Sequence, residues 1–313
     1  MSFNSTYSPI LELVSLPRLT KYRTTFKPVT DAQLYGTYIW VQHVGGALYP
    51  LLQSLEVTLR NTIDTAARNK FGDFWWDNIA CNKNDVSRTR FYRGISEAKN
   101  KLISEWEKRE RERLGLRYNE SIPTTMPVWS HDKIVGATTF STWQFILNGD
   151  FSDQRNIPNS SFLWPQLLGK AFRQYHLFDR NPHRARSKIM NSIEEIRNFR
   201  NRVFHHEPFW SGTNNQTTAI DSVRAKINKI ETLLSSIDSR KRDIMVDVGL
   251  FMHARRVCSL QELNIHINAE PEKNNYTQKQ KRNIRKVAMK SNKNTQTSTW
   301  NYAGMVFGIH RIR

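Results

Sequence analysis

Leu48, Leu51, Leu52, Leu55, Leu59 and Ile63 recur at three- and four-residue intervals. They make one continuous apolar stripe down a helix, and a stripe of that length must be buried against other elements. Three further segments carry the same period: Ile189, Ile193, Ile196, Phe199 and Val203; Ile220, Val223, Ile227, Ile230 and Leu234; and Phe91, Ile95 and Leu102 with Ile103 and Trp106 beside them. No alternating strand pattern of useful length accompanies them, and no glycine phosphate loop, heptad array or internal repeat. The expected fold is all-α, a helical bundle with helical elaborations.

Punctuation sets the expected boundaries. Residues 1–30, with Pro9, Pro17 and Pro28, read as an irregular arm holding a short helix at Ile10–Ser15. Thr30-Asp31 caps a helix carrying Leu34, Tyr35, Tyr38, Ile39 and Val41, and Gly45-Gly46 breaks or bends it before the long stripe. Phe71–Asp77 ends the stripe helix and packs aromatics around a turn. Residues 86–114 form another helix, and the alternating charges of Glu105–Arg113 read as a solvated, self-paired face. Pro123–Pro127 is a linker; Phe172, Tyr175 and His176 close a further helix, His176 reading as a surface or core histidine. Helices over 185–207, 219–237 and 244–257 follow.

The chain carries a net charge of +19 and a pI of about 10.1, a balance that points to a polyanionic partner. Nucleic acid leads, with an anionic membrane surface second. The charge divides the chain into a domain over 1–270 and a basic tail over 271–313, which holds ten Lys/Arg against one Glu and so +9 of the total. Within the tail, Lys279, Lys281, Arg282, Arg285 and Lys286 are the candidate RNA-binding residues. They suit either a solvated coat or an arm that neutralises phosphates, and Trp300, Tyr302 and Phe307 either anchor the tail or stack on bases. Two cysteines, Cys81 and Cys258, cannot frame disulfides or a zinc site and read as core thiols. No apolar run reaches membrane-span length and Met1–Ser8 lacks signal-peptide shape, so the expected location is the cytoplasm, off the membrane.

The helix over 185–207 concentrates the chemistry. Pro208 cannot continue it, so it is expected to end near His206 or Glu207 with both histidines in its last turn. The macrodipole there favours a protonated imidazole, and a histidine is the side chain suited to give and take a proton near neutrality. At about 100° per residue, Asn201 and His205 fall roughly 40° apart, opposite the apolar stripe. Arg200 falls within the stripe and must be paired to be buried. Glu56 has Arg60 four residues on, an ordinary i,i+4 ion pair, but Glu56 or Asn61 could instead hold a group of the Arg200 helix.

Arg200-Asn201-Arg202-Val203-Phe204-His205 reads as Arg-Asn-x-x-x-His and resembles the active-site motif of the HEPN ribonuclease superfamily. The longer Arg-Asn-Arg-Val-Phe-His-His-Glu-Pro resembles the Abi-like, or abortive infection, branch. Leu55-Glu56-Val57-Thr58-Leu59-Arg60-Asn61 resembles a second signature of that branch, as do Val135–Trp143, in degenerate form, and Trp164-Pro165. The resemblance implies a HEPN-type helical bundle, a metal-independent endoribonuclease working as a homodimer, and a toxic effector of anti-phage defence or of a toxin–antitoxin system.

The implied chemistry is self-consistent. RNA carries its own nucleophile, the 2′-hydroxyl, so cleavage needs a base, an acid and positive charge for the phosphorane, and neither metal nor cofactor. Arg200 would supply charge, Asn201 a hydrogen bond and His205 proton transfer, with His206 the rival histidine and Glu56, Arg60 and Asn61 in support. One correctly spaced histidine per chain, where two proton-transfer groups are wanted, accords with two motif helices meeting across a dimer axis. A metal site at His205-His206-Glu207 is disfavoured because adjacent side chains diverge. Two readings stand beside the enzyme: a non-catalytic RNA-binding HEPN module, and a helical DNA-binding or assembly protein. A restraining RNA is a further expected partner.

Overall fold

A computed structural model describes residues 7–155, 157, 160–211 and 215–267, and in the C-terminal part 278–279, 282–283, 285–286, 289, 298–302 and 305–309. The chain divides into two compact units, 1–268 and 269–313. Among the described residues of the first, all regular elements are helical: α1 (Ser8–Val14), α2 (Leu16–Phe26), α3 (Asp31–Phe71), α4 (Arg90–Leu114), α5 (His131–Ala137), α6 (Phe140–Phe145), α7 (Leu168–Ala171), α8 (Pro182–Phe204), α9 (Gln216–Ile237), α10 (Ser239–Asp247), α11 (Leu250–Val257) and α12 (Leu260–Ile267). The first unit is an all-α fold, and none of the described helices is long and apolar enough to cross a membrane.

Helix α3 is the axis of the unit. It packs against α9, α11 and α12 and also meets α2, α6, α7 and α8. Thr30 caps it as its sequence implied, its hydroxyl accepting from the Gln33 N–H at 3.2 Å. Gly45-Gly46 does not break it: the helix runs 41 residues through both glycines and through Pro50. Two glycines and one proline cost roughly 5 kcal/mol in intrinsic propensity. Leu48, Leu51, Leu52, Leu55, Leu59 and Ile63 are all buried, and at about 1.5–3 kcal/mol each they outweigh that cost. Gly36 allows a close crossing by α12: a Cβ there would lie 2.1 Å from the His266 carbonyl oxygen.

Several expectations are corrected. Residues 16–26 are helical, not an irregular arm, because Pro9 and Pro17 sit in the first turns of α1 and α2, where a missing N–H costs nothing. Leu19, Tyr22 and Phe26 of α2 are buried, and Trp210 packs edge-on to Tyr22 and Phe26 with ring centroids 5.0 Å from each. The helix expected over 244–257 is two helices, α10 and α11, parted at Gly249 with φ +78°, and α12 follows. The helix expected to close at His176 is a single turn, α7, then a 3-10 turn Tyr175–Leu177; His176 is exposed. The tail of α4 pairs with itself as expected, Arg113 with Glu110 at 2.7 Å.

A buried polar cluster locks the end of α3. Asp64 accepts from Trp75 Nε1 at 2.8 Å and lies 2.9 Å from His131 Nε2. His131 Nδ1 accepts the Phe74 N–H at 2.9 Å, which assigns the ring proton to Nε2. Trp143 and Trp164, from the segments that resemble Abi-like signatures, are buried core residues with their indole N–H groups bonded to Thr138 Oγ1 and the Ile146 carbonyl.

In the second unit, β1 (Ser298–Tyr302) pairs antiparallel with β2 (Met305–Ile309), Trp300 opposite Phe307 and Tyr302 opposite Met305. No strand was expected, because five-residue strands are too short for an alternating pattern to stand out. Lys279, Arg282, Arg285 and Lys286 are helical and exposed; Lys281 lies outside the described residues.

Candidate functional site

Helix α8 is capped by Asn181, whose side chain accepts from the Arg184 N–H at 3.1 Å, and begins at Pro182. Ile189, Ile193, Ile196 and Phe199 are buried, and the helix lies against α9 and α6. It ends at Phe204, so both histidines lie just beyond the last turn rather than within it. The cause is a complete αL stop. His205 is the C-cap, His206 takes a left-handed φ of +56°, the Glu207 N–H reaches the Arg202 carbonyl at 2.9 Å and the His206 N–H the Val203 carbonyl at 3.2 Å. Pro208 then bars Glu207 from helical geometry. His205 and His206 are exposed, and neither imidazole has a hydrogen-bond partner among the described residues.

Arg200 is paired as the stripe argument required, but it is only partly buried, because it sits at the edge of the stripe. Its side chain is 34 % accessible; Nη2 lies 3.4 Å from Glu56 Oε2 and Nη1 3.4 Å from Asn201 Oδ1. Its guanidinium lies 4.5 Å from the Phe204 ring centroid, and Phe204 packs edge-on to Tyr49 of α3 at 5.5 Å. The Nε atom is buried with no partner among the described residues. Glu56 therefore reaches α8 and not Arg60. Arg60 turns its Nε to Asn61 Oδ1 at 3.1 Å, so Arg60 and Asn61 pair with each other one turn along α3 and make no bond to α8.

Glu56, Arg200 and Asn201 thus form one connected group, with His205 a helical turn away through its N–H to the Asn201 carbonyl at 2.9 Å. The arrangement offers a fixed positive charge, a side-chain amide and two solvent-facing imidazoles on one helix end. Among the described residues, no group of three or more His, Cys, Asp or Glu is placed to hold a metal ion.

Beside this end of α8 lies a cleft of about 580 Å³ that periodicity did not reveal. Tyr22, Tyr38 and Tyr49 line it with Gly46, His206 and Glu207. Pro50 has no N–H, so the Gly46 carbonyl lacks its helical donor; the four-residue spacing of Gly46 and Pro50 was the available signal. Lys21, next in sequence to the lining residue Tyr22, has its Nζ 3.3 Å from the Trp210 carbonyl, and burial and then the charge of Arg202 lower its pKa.

No curated protein and no solved structure matches this chain. The family model of the Abi-like proteins matches residues 4–211, a stretch that contains Glu56, Arg200, Asn201, His205 and the lining of the cleft, and the chain belongs to that family.

Proposed function

We propose that this protein is a metal-independent endoribonuclease of HEPN type, completed by homodimerisation, and that it acts as the toxic effector of an abortive-infection response. Family membership supports the defence role. The ribonuclease reading is carried by one observation: Glu56 holds Arg200 beside Asn201 while His205, a turn on, keeps an open imidazole. In this reading Arg200 stabilises charge on the phosphorane, Asn201 orients the phosphate, and His205 moves a proton between its ring and the 2′- or 5′-oxygen. The 2′-oxygen bonds to phosphorus as the 5′-oxygen leaves with a proton, giving a 2′,3′-cyclic phosphate and a 5′-hydroxyl. A second motif helix, from the partner subunit, supplies the second proton-transfer group.

The test is incubation of the purified full chain with end-labelled single-stranded RNA in EDTA. Cleavage with 2′,3′-cyclic phosphate ends is the expected result. The strongly basic charge favours one alternative, a non-catalytic RNA-binding module, and retention of intact RNA at low salt would select it.

A further inference from the structure

We propose that the cleft between α2, α3 and the end of α8 is a nucleobase subsite that takes an unpaired guanine of the RNA strand next to the scissile phosphate; this rests on the ribonuclease reading for its place in the reaction, though not for the binding itself. The cleft is continuous with the motif, since Val203, Phe204, His206 and Glu207 form part of its wall. Its volume of about 580 Å³ falls within the range of roughly 300–1,000 Å³ typical of small-molecule sites.

Three features select a base over other ligands. Tyr38, half-buried, and Tyr49, 48 % exposed, both line the cleft, and aromatic side chains are the surface on which a flat base stacks. Gly46 has open space where a Cβ would stand, which lets a planar ring approach the α3 backbone. Lys21 and Arg202 adjoin the lining residues Tyr22 and Val203 in sequence, and cations at those positions suit the phosphates either side of the base.

The polar groups select the base edge. The Gly46 carbonyl has no helical donor, and the Glu207 carboxylate has no hydrogen bond or ion pair among the described residues. Both are acceptors. Guanine is the base that presents two adjacent donors, N1–H and the N2 amine, to a carboxylate; adenine and cytosine offer a single amine, and uracil a single ring N–H. A carboxylate repels phosphate, so the Glu207 side chain suits a base edge and not the backbone.

The experiment is fluorescence anisotropy with non-cleavable 2′-O-methyl pentanucleotides, four uridines around a central guanine, adenine or uridine. It is run on the full chain and on Gly46→Leu, Glu207→Gln and the control Gly136→Leu, which adds the same side chain to open space on α5. The guanine probe should bind roughly tenfold more tightly than the others, the scale of discrimination a bidentate pair supplies. Gly46→Leu should lose at least tenfold in affinity with melting unchanged, Glu207→Gln should erase the preference, and Gly136→Leu should change nothing. Equal affinity for the three probes, or full affinity in Gly46→Leu, overturns the proposal. Guanine-selective binding by a protein that cuts no RNA keeps the subsite and removes the ribonuclease; cleavage without base preference, unaltered in Gly46→Leu, does the reverse.

Discussion

Glu56 Oε2 on α3 lies 3.4 Å from Arg200 Nη2 on α8, an ion pair across 144 positions of sequence. With both side chains about a third accessible, such a pair contributes only about 0–1 kcal/mol to stability. Its consequence is position: it aims a guanidinium that also touches Asn201 and Phe204. Glu56→Gln should therefore melt within about 1 kcal/mol of the unaltered chain yet cleave RNA roughly tenfold more slowly. Arg200→Ala should lose about 100- to 1,000-fold, and Arg200→Lys should not restore it, since an ammonium lacks the planar fork. Single-turnover cleavage and thermal melting, measured together, check this; a Glu56→Gln protein cleaving at the full rate removes Glu56 from the positioning role.

The αL stop separates the two histidines. His206 occupies φ +56°, where a side chain costs about 1–2 kcal/mol relative to glycine. His206→Gly should be neutral to stabilising by up to about 1 kcal/mol and should retain cleavage, whereas His205→Ala should abolish it. Denaturant titration reads the first effect and RNA cleavage the second. Retained activity in His205→Ala with none in His206→Gly would make His206 the proton-transfer group.

Assembly has its own test. If two motif helices complete one site, excess inactive His205→Ala chain mixed with the unaltered protein should depress activity below simple dilution, as mixed dimers form. Light scattering should report a dimer at the assay concentration. An active monomer contradicts the shared site.

The charge predicts the salt response. RNA affinity should fall with a log–log slope of about −0.7 per phosphate contacted, and deletion of 271–313, which removes +9, should flatten that slope and weaken binding. Lys279, Arg282, Arg285 and Lys286 are exposed on helical turns, so their combined substitution by Gln should reproduce part of the effect of the deletion. A salt-independent affinity would make the basic surface a solubilising coat.

The Asp64 cluster should set stability without touching chemistry. Asp64→Ala leaves the indole N–H of Trp75 and a ring N–H of His131 buried without an acceptor, at a cost of about 3 kcal/mol. Asp64→Asn, which keeps an acceptor oxygen, should cost less. Chemical denaturation of both variants orders them, and an unchanged midpoint in Asp64→Ala would contradict this account of the turn after α3.

What the residues announced on their own was local and periodic. The stripes of α3, α8 and α9, the Thr30 cap, the placing of Arg200 within a stripe and the motif spacing all follow from 3.6-residue geometry acting over one or two turns. Where local rules competed with burial, burial won: α3 runs through Gly45, Gly46 and Pro50 because its leucine stripe is covered by several helices at once. Glu56 had two cations within reach of argument, and propensity favoured Arg60 at i,i+4; the packing of α8 on α3 gave it Arg200. The cleft likewise joins Tyr22, Tyr38 and Tyr49 to Glu207, residues whose adjacency no spacing encodes. Periodicity tells a helix which face to bury, but partners that face one another across a core are chosen by the path of the chain, and that exists only once the helices have docked.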